Sequence, residues 1–218
     1  YKRQILGLLL ANRSIRNALK LQQEAAALQK ENNTARYTAL QNQLNPHFLF
    51  NSLNTLISEI RYNPANAELF TQHLSDVYRY TLQCQNQRLT TLREELDFLN
   101  SYVFLHRVRL GDCIYIDNRI PESCLEYQLP PLTIQLLAEN VIKHNVIHMG
   151  KPMTIELVYM EMEKELVVRN RIQAKKSATA FGTGLKNLSA RYKLLCSRDI
   201  VIENDSQEFT VKIPLLYE

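Results

Sequence analysis

The chain has 218 residues, 45% of them hydrophobic, and a formal net charge of +4. That length holds one large domain or two small ones with cores of their own. The charge is too low, and the Lys/Arg runs of at most two residues too short, to argue for a nucleic-acid partner. Cys84, Cys113, Cys124 and Cys196 form no CxxC pair and no His stands at zinc-finger spacing from them, which fits a reducing compartment. No apolar run reaches the roughly 18 residues of a membrane span. Ile5-Leu6-Gly7-Leu8-Leu9-Leu10 is expected to be either the foot of a span lying before residue 1 or the first turns of a coiled coil. A start at Tyr1 rather than Met suggests part of a longer protein.

Residues 1 to about 110 read as almost entirely helical, interrupted only by Pro46 and Pro64. The stretch from about Asn12 to Ala39, rich in Gln, Ala, Leu, Lys and Glu, predicts a long exposed helix or coiled coil. Pro46 either kinks that helix or opens a new one. Beyond it Leu49, Leu53, Leu56 and Ile60 repeat at helical spacing, and His47, Asn51, Asn54 and Ser58 repeat it on another face. Asn63-Pro64 reads as a turn, followed by a helix from about Asn66 to Gln87 with Phe70, Leu74, Val77, Thr81 and Cys84 on one face. Two such helices predict an antiparallel hairpin. A hairpin cannot bury its stripe alone, so two hairpins in a homodimeric four-helix bundle are expected. Thr91-Leu92-Arg93-Glu94 is a capping box opening a third helix to about Leu110.

Past Gly111 the pattern changes. Ile114 and Ile116 alternate with polar residues as in a strand, and Pro130-Pro131 precedes a helix from about Leu132 to Val146. Met153 to Met160 and Glu165 to Asn170 predict a hairpin turning near Glu161–Lys164. A polar stretch to Thr183, a helix from Gly184 to Cys196 and a last hairpin around Asn204-Asp205-Ser206 complete the chain. The fold class is α+β: a helical bundle followed by a mostly antiparallel α/β sandwich. The expected segments are 1–35, a signalling helix; 36–110, the bundle helices; and 111–218, the sandwich.

Three constellations carry chemistry. A solvent-facing His47 is largely neutral and nucleophilic near pH about 7, able to accept a phosphoryl group; a plain surface histidine is the competing reading. The helix after Pro131 sets Gln135, Glu139 and Lys143 at steps of four beside Asn140 and His144, with Ile134, Leu137, Ala138 and Val141 on the opposite face. Such a stripe suits a Mg²⁺-nucleotide site: an Asn oxygen for the cation, Lys143 for phosphate charge and Glu139 for a proton. A solvated helix face is the alternative. Gly182-Thr183-Gly184 at the mouth of a helix lets backbone N–H groups approach phosphates. The segment from Arg171 to Thr183 is then a lid over nucleotide or an ordinary surface loop.

Together these motifs resemble a known family. Gln43 through Asn51 is similar to the phosphoacceptor box of the LytS-like sensor histidine kinases. Pro130-Pro131-Leu132 through His144 resembles the N box of their GHKL-type ATP-binding domain. Gly182-Thr183-Gly184-Leu185-Lys186-Asn187-Leu188, followed by Ser189-Ala190-Arg191-Tyr192, resembles its second glycine box. Leu92 to Leu96 and Tyr102 to Arg109 fit the connecting helix, so the likeness runs in order over about residues 36 to 215. It implies a dimerisation and phosphotransfer bundle joined to a Bergerat-type ATP-binding sandwich. It implies autophosphorylation of His47 from ATP with Mg²⁺, and phosphotransfer to an Asp of a response regulator, of LytTR type. Asn51 would orient water in dephosphorylation, Glu139 would act as base and Asn140 as the Mg²⁺ ligand. Lys143, His144, Asn170, Gly182, Gly184 and Leu185 would line the nucleotide. The likeness also implies the cytoplasmic part of a bacterial inner-membrane protein, attached through a region before residue 1.

One departure stands out. Where many members have an Asp-Asn-Gly-x-Gly box, this chain has Val167-Val168-Arg169-Asn170-Arg171-Ile172, with no glycine, and Asn145 stands where a Gly is common. Asn170 aligns best with the missing Asp. It keeps an acceptor for the adenine amino group but not the charge, at a cost in affinity. A degraded kinase acting as phosphatase or regulator-binding scaffold, and a GHKL ATPase without a phosphoprotein, are the alternatives.

Overall fold

A computed structural model describes residues 20, 22, 29, 46–175 and 183–217. Lys20, Gln22 and Gln29 are helical; the remainder of the expected coiled coil, most of the lid and Gly182 lie outside the described residues. The chain divides into two compact units, residues 1–49 and 50–218. In the first, Pro46–Leu49 are the first described residues of helix α1 (Pro46–Tyr62). The fixed φ and missing N–H of a proline suit a first turn, whose amides have no intrahelical acceptor.

The second unit holds the rest of α1, then α2 (Pro64–Gln83) and α3 (Leu92–Leu110). Only Asn63 separates α1 from α2; its side chain accepts from the Asn66 N–H, and Pro64 takes the first helical position. One residue is too short a link to fold two helices back along each other, which takes about two to five. The expected α1–α2 hairpin is therefore corrected: α2 packs along α3 instead. Ala67, Phe70, Leu74, Val77 and Thr81 are the buried face of α2, continued by the buried Cys84 just past its end. The stripe expected on α1 is covered in part: Leu49 and Leu56 are half-buried, whereas Leu53 and Ile60, with the neighbouring Ile57, are 41%, 57% and 52% exposed.

The capping box at Thr91 forms as the sequence predicts: the Glu94 N–H donates to the Thr91 hydroxyl, and the Thr91 N–H donates to the Glu94 carboxylate. Leu92, Glu95, Leu96, Phe98, Leu99, Tyr102, Val103, Leu105 and His106 are all buried, because α3 packs against α2 and also against the first strand and helix of the sandwich. Phe98, Tyr102 and His106 stack along α3 at steps of four, and Tyr80 of α2 extends the row with its ring 4.9 Å from Phe98.

Two short strands, β1 (Thr90–Thr91) and β3 (Gln128–Leu129), pair antiparallel. The main sheet comprises β2 (Ile114–Arg119), β4 (Met153–Met160), β5 (Glu165–Arg171), β6 (Val201–Asn204) and β7 (Glu208–Pro214). Its order is β2-β4-β5-β7-β6, with β2 parallel to β4 and the other pairs antiparallel. The alternation of β4 sends Met153, Ile155 and Leu157 inward, while Glu156 pairs with Arg169 across the strand boundary on the other face. Helices α4 (Thr133–His144) and α5 (Thr183–Cys196) bring Ile134, Leu137, Ala138, Val141, Leu185, Leu188 and the fully buried Tyr192 to the same core. The expected α+β architecture is what forms.

His106 puts a titratable ring in that interior. The Arg109 guanidinium donates to its Nδ1 at 3.0 Å, a bond only the neutral ring accepts. Burial first, and Arg109 second, push its pKa from 6.5 down to about 3. The group is depressed on folding, so its contribution is complete above the unfolded value and is lost as pH falls toward the folded one. Urea unfolding should therefore show wild type losing up to about 1.4 kcal/mol per pH unit more than His106→Gln between about pH 6.5 and 3. Parallel profiles for the two proteins would refute the neutral ring.

Candidate functional site: the polar face of helix α4

The site grows from the start of α4. Leu132 precedes the helix with φ 62 and ψ 19, a left-handed conformation that costs a branched residue about 1–2 kcal/mol. Glu95 of α3 holds it there. Its Oε1 accepts from the Leu132 N–H at 2.5 Å and its Oε2 from the Ile134 N–H at 2.8 Å. The Tyr80 hydroxyl of α2 donates to the same Oε1 at 2.8 Å. Glu95 is 0% exposed; burial pushes its carboxyl pKa up, against the lowering by the Ile134, Tyr80 and Leu132 bonds. From α5 the Arg191 guanidinium donates to the Pro131 carbonyl at 3.0 Å, and the Thr133 hydroxyl donates to the Pro130 carbonyl at 2.5 Å.

With its start fixed, α4 buries Ile134, Leu137, Ala138 and Val141 and turns Gln135, Glu139, Asn140, Lys143 and His144 away from the core. Two atoms on that polar face are telling. Gln135 Oε1 and Asn140 Nδ2 are buried, yet have no hydrogen-bond partner among the described residues. An orphaned buried polar atom is costly in a folded protein, and a bound ligand or water is the usual remedy. Glu139 lies near α3: burial and then the Glu139 charge push the Tyr102 phenol well above its ordinary pKa. Lys143 is exposed and His144 half-buried. Burial, Lys143 and Lys175 lower the His144 imidazole pKa.

The C-terminal end of α4 is tied to the chain leaving β5. Lys175 Nζ donates to the Ile142 and Lys143 carbonyls, each at 3.0 Å. Asn145 is buried; its Nδ2 donates to the Val141 carbonyl at 2.9 Å and its Oδ1 accepts from the Gln173 N–H at 2.7 Å. Its φ of −109 needs no glycine. The Asn in place of the common Gly thus costs no backbone strain, and its amide anchors the segment that lacks the glycine box.

Asn170 is buried on β5, opposite Ile155 and Phe209 and so on the core-facing side. Its Nδ2 donates to the Arg171 carbonyl at 2.7 Å, so its Oδ1 is the acceptor a purine amino group would need. Gly184, in the first turn of α5, lies where an added Cβ would stand 3.4 Å from Leu136, and Leu185 is buried. Gly184 therefore belongs beside α4. A separate cavity of about 740 Å³ is lined by Lys151, Thr154, Glu156, Arg171, Gln173 and Glu208 and includes no residue of α4. On α1, His47 is exposed and Asn51 half-buried.

The α4 face has donor and acceptor groups of the kind a Mg²⁺-nucleotide needs. The orphaned Asn140 Nδ2, Lys143 and the donor-rich N-terminus of α5 suit phosphate oxygens, the orphaned Gln135 Oε1 suits a donor or a cation, and Mg²⁺ asks for only one or two protein oxygens. Sequence reasoning missed Glu95, Tyr80 and Arg191. The available signal was an acid inside the apolar stripe Leu92, Leu96, Leu99. Asn145→Ala removes two buried bonds and should lower stability by about 1–3 kcal/mol in urea unfolding, with faster amide exchange at Gln173. Unchanged exchange at Gln173 would contradict the anchoring.

Known proteins share these sequences. A family profile described as Histidine kinase matches residues 35–114. The sensor protein LytS of Staphylococcus haemolyticus is 33% identical over 172 residues, 72% of this chain and 30% of that protein. The sensor histidine kinase BtsS of Escherichia coli is 36% identical over 102 residues, covering 47% of this chain and 18% of that one. YpdA, another sensor histidine kinase of that species, is 35% identical over 122 residues, covering 56% and 21%. The chain thus spans less than a third of the length of these relatives. Among solved structures, the Acinetobacter baumannii histidine kinase AdeS aligns with 83% of this chain and 95% of its own, at 16% identity and a TM-score of 0.39. By its sequence relatives and its motifs, the chain belongs to the family of LytS-like sensor histidine kinases.

Proposed function

We propose that this chain is the kinase core of a two-component sensor, which phosphorylates its own His47 from ATP and passes the phosphoryl group to an aspartate of a response regulator, of LytTR type. The observation that carries the reading is an exposed His47 inside the stretch matched as a histidine kinase, in a chain whose α4 holds a buried amide nitrogen, Asn140 Nδ2, with no hydrogen-bond partner among the described residues. Residues 1–35 would serve as the signalling helix, 36–110 as the dimerisation and phosphotransfer segment, and 111–218 as the ATP-binding domain. The exposed Leu53, Ile57 and Ile60 support a homodimer. Among the described residues no helix is long and apolar enough to cross a membrane; attachment to the cytoplasmic side of an inner membrane would come through a region before residue 1.

In this reading ATP is the substrate. Asn140 offers its Oδ1 to Mg²⁺, which when bound would neutralise phosphate charge. Lys143 and the α5 N-terminus around Gly182 and Gly184 hold phosphate oxygens, with His144 and Leu185 completing the lining. Asn170 accepts from the adenine amino group. An imidazole nitrogen of His47 bonds to the γ-phosphorus as the bond to the bridging oxygen breaks and ADP leaves. Glu139 takes the ring proton, and Asn51 later orients water for hydrolysis. Positioning and charge neutralisation supply most of the rate, since the transition state is loose.

Incubation with γ-labelled ATP should give an acid-labile, base-stable phosphoprotein. His47→Gln should abolish the label while leaving nucleotide binding intact, and Asn140→Ala should reduce both. Equal labelling of wild type and His47→Gln would refute the assignment, and phosphate release without a phosphoprotein would favour the ATPase alternative. Asn170→Asp restores a charge-assisted bond and should tighten ATP binding about tenfold; an equal gain for GTP would argue against an adenine contact at this position.

A further inference from the structure

We infer that Glu95, held by Tyr80, is a positioning residue through which α2 sets the start of α4, the helix carrying Glu139, Asn140, Lys143 and His144; its catalytic consequence rests on the nucleotide reading above. Glu95 has a partner on each oxygen: Leu132 N–H and Tyr80 O–H on Oε1, Ile134 N–H on Oε2. Those two amides belong to the start of α4, where no intrahelical acceptor exists. The helix therefore borrows its cap from another helix, 37 and 39 residues earlier in the chain. At 0% exposure, water has no access to replace the carboxylate.

Tyr80 is the part of this joint that belongs to α2. Its hydroxyl lies 3.2 Å from the Thr90 hydroxyl, which donates to Glu94 Oε2 at 2.5 Å. One phenol therefore touches both the cap of α4, through Glu95, and the capping box of α3, through Thr90 and Glu94. A shift of α2 along α3 draws the phenol from Oε1 and leaves a buried carboxylate underbonded. The left-handed Leu132, otherwise unfavourable, then has less to hold it. Asn140 stands six residues after Ile134, about 9 Å along a rigid helix, so a tilt of the first turn reaches it directly. Arg191 on the Pro131 carbonyl steadies the turn from α5 and does not depend on α2.

The test uses the full chain with Tyr80→Phe, which removes only the phenolic hydroxyl, Glu95→Gln, which places a donor against a backbone N–H, and Val77→Ala as a buried α2 control of comparable stability loss. Amide exchange is followed without nucleotide, and Mg-ATP affinity is measured separately. Tyr80→Phe should speed exchange at Leu132 and Ile134 at least tenfold while Leu157 and Val168 keep their rates. It should weaken Mg-ATP binding at least threefold, with larger effects for Glu95→Gln. Val77→Ala should change neither selectively. Unchanged exchange at Leu132 and Ile134, or a uniform increase at all amides, would overturn the proposal, as would equal selective effects from Val77→Ala. A wild type that binds no Mg-ATP, with the exchange response intact, would sink the nucleotide reading and leave the positioning role standing.

Discussion

A single carboxylate with no exposed surface joins three helices: Glu95 of α3 caps α4 through Leu132 and Ile134 and receives the Tyr80 hydroxyl of α2. Burying such a charge costs several kcal/mol when it is unpaired. Three hydrogen bonds to a charged group, each worth about 1.5–3 kcal/mol, offset that cost, and the carboxylate in turn stabilises a left-handed Leu132 and the orphan amides of a helix end. The placement of every later residue on α4 follows from this joint, because a helix fixed at its first turn has little freedom left in direction or rotation.

On that frame the polar face of α4 is built by exclusion. Ile134, Leu137, Ala138 and Val141 fill the core against the sheet, which leaves Gln135, Glu139, Asn140, Lys143 and His144 on the remaining arc. The other end of the helix is secured by side chains. With no glycine from Val167 to Lys175, the chain is pinned to the helix by the Asn145 amide and by Lys175 on the last carbonyls. A cation at a helix C-terminus also meets the negative end of the macrodipole. The segment after β5 therefore has fixed anchors in place of glycine flexibility.

Helix α1 has a different energetic position. It carries exposed apolar residues, and among the described residues α2 packs along α3 rather than back along α1, because only Asn63 links the two helices. Leu53, Ile57 and Ile60 remain exposed among the described residues, and an exposed apolar stripe of this kind is what favours association with a partner surface.

The sequence alone determined the elements and the faces. The Thr91–Glu94 box, the alternation of β4 and the 3.6-residue spacing of α4 are local signals, and each produced the predicted element within a few residues. The family was legible as well, because the motifs around His47, Asn140 and Gly184 are contiguous stretches. What only the tertiary structure decided is which elements meet. Whether α3 served the helical half or the sandwich was open in its sequence, since a helix buried on nearly all sides has no single apolar stripe to read. The pairing of α2 with α3 depended on the geometry of one linking residue. Glu95 lay in plain view as an acid among leucines, but its partners are two amides that every residue possesses, 37 and 39 positions away. Backbone donors leave no mark in a sequence, so the interaction that places the candidate site appears only once the chain has folded.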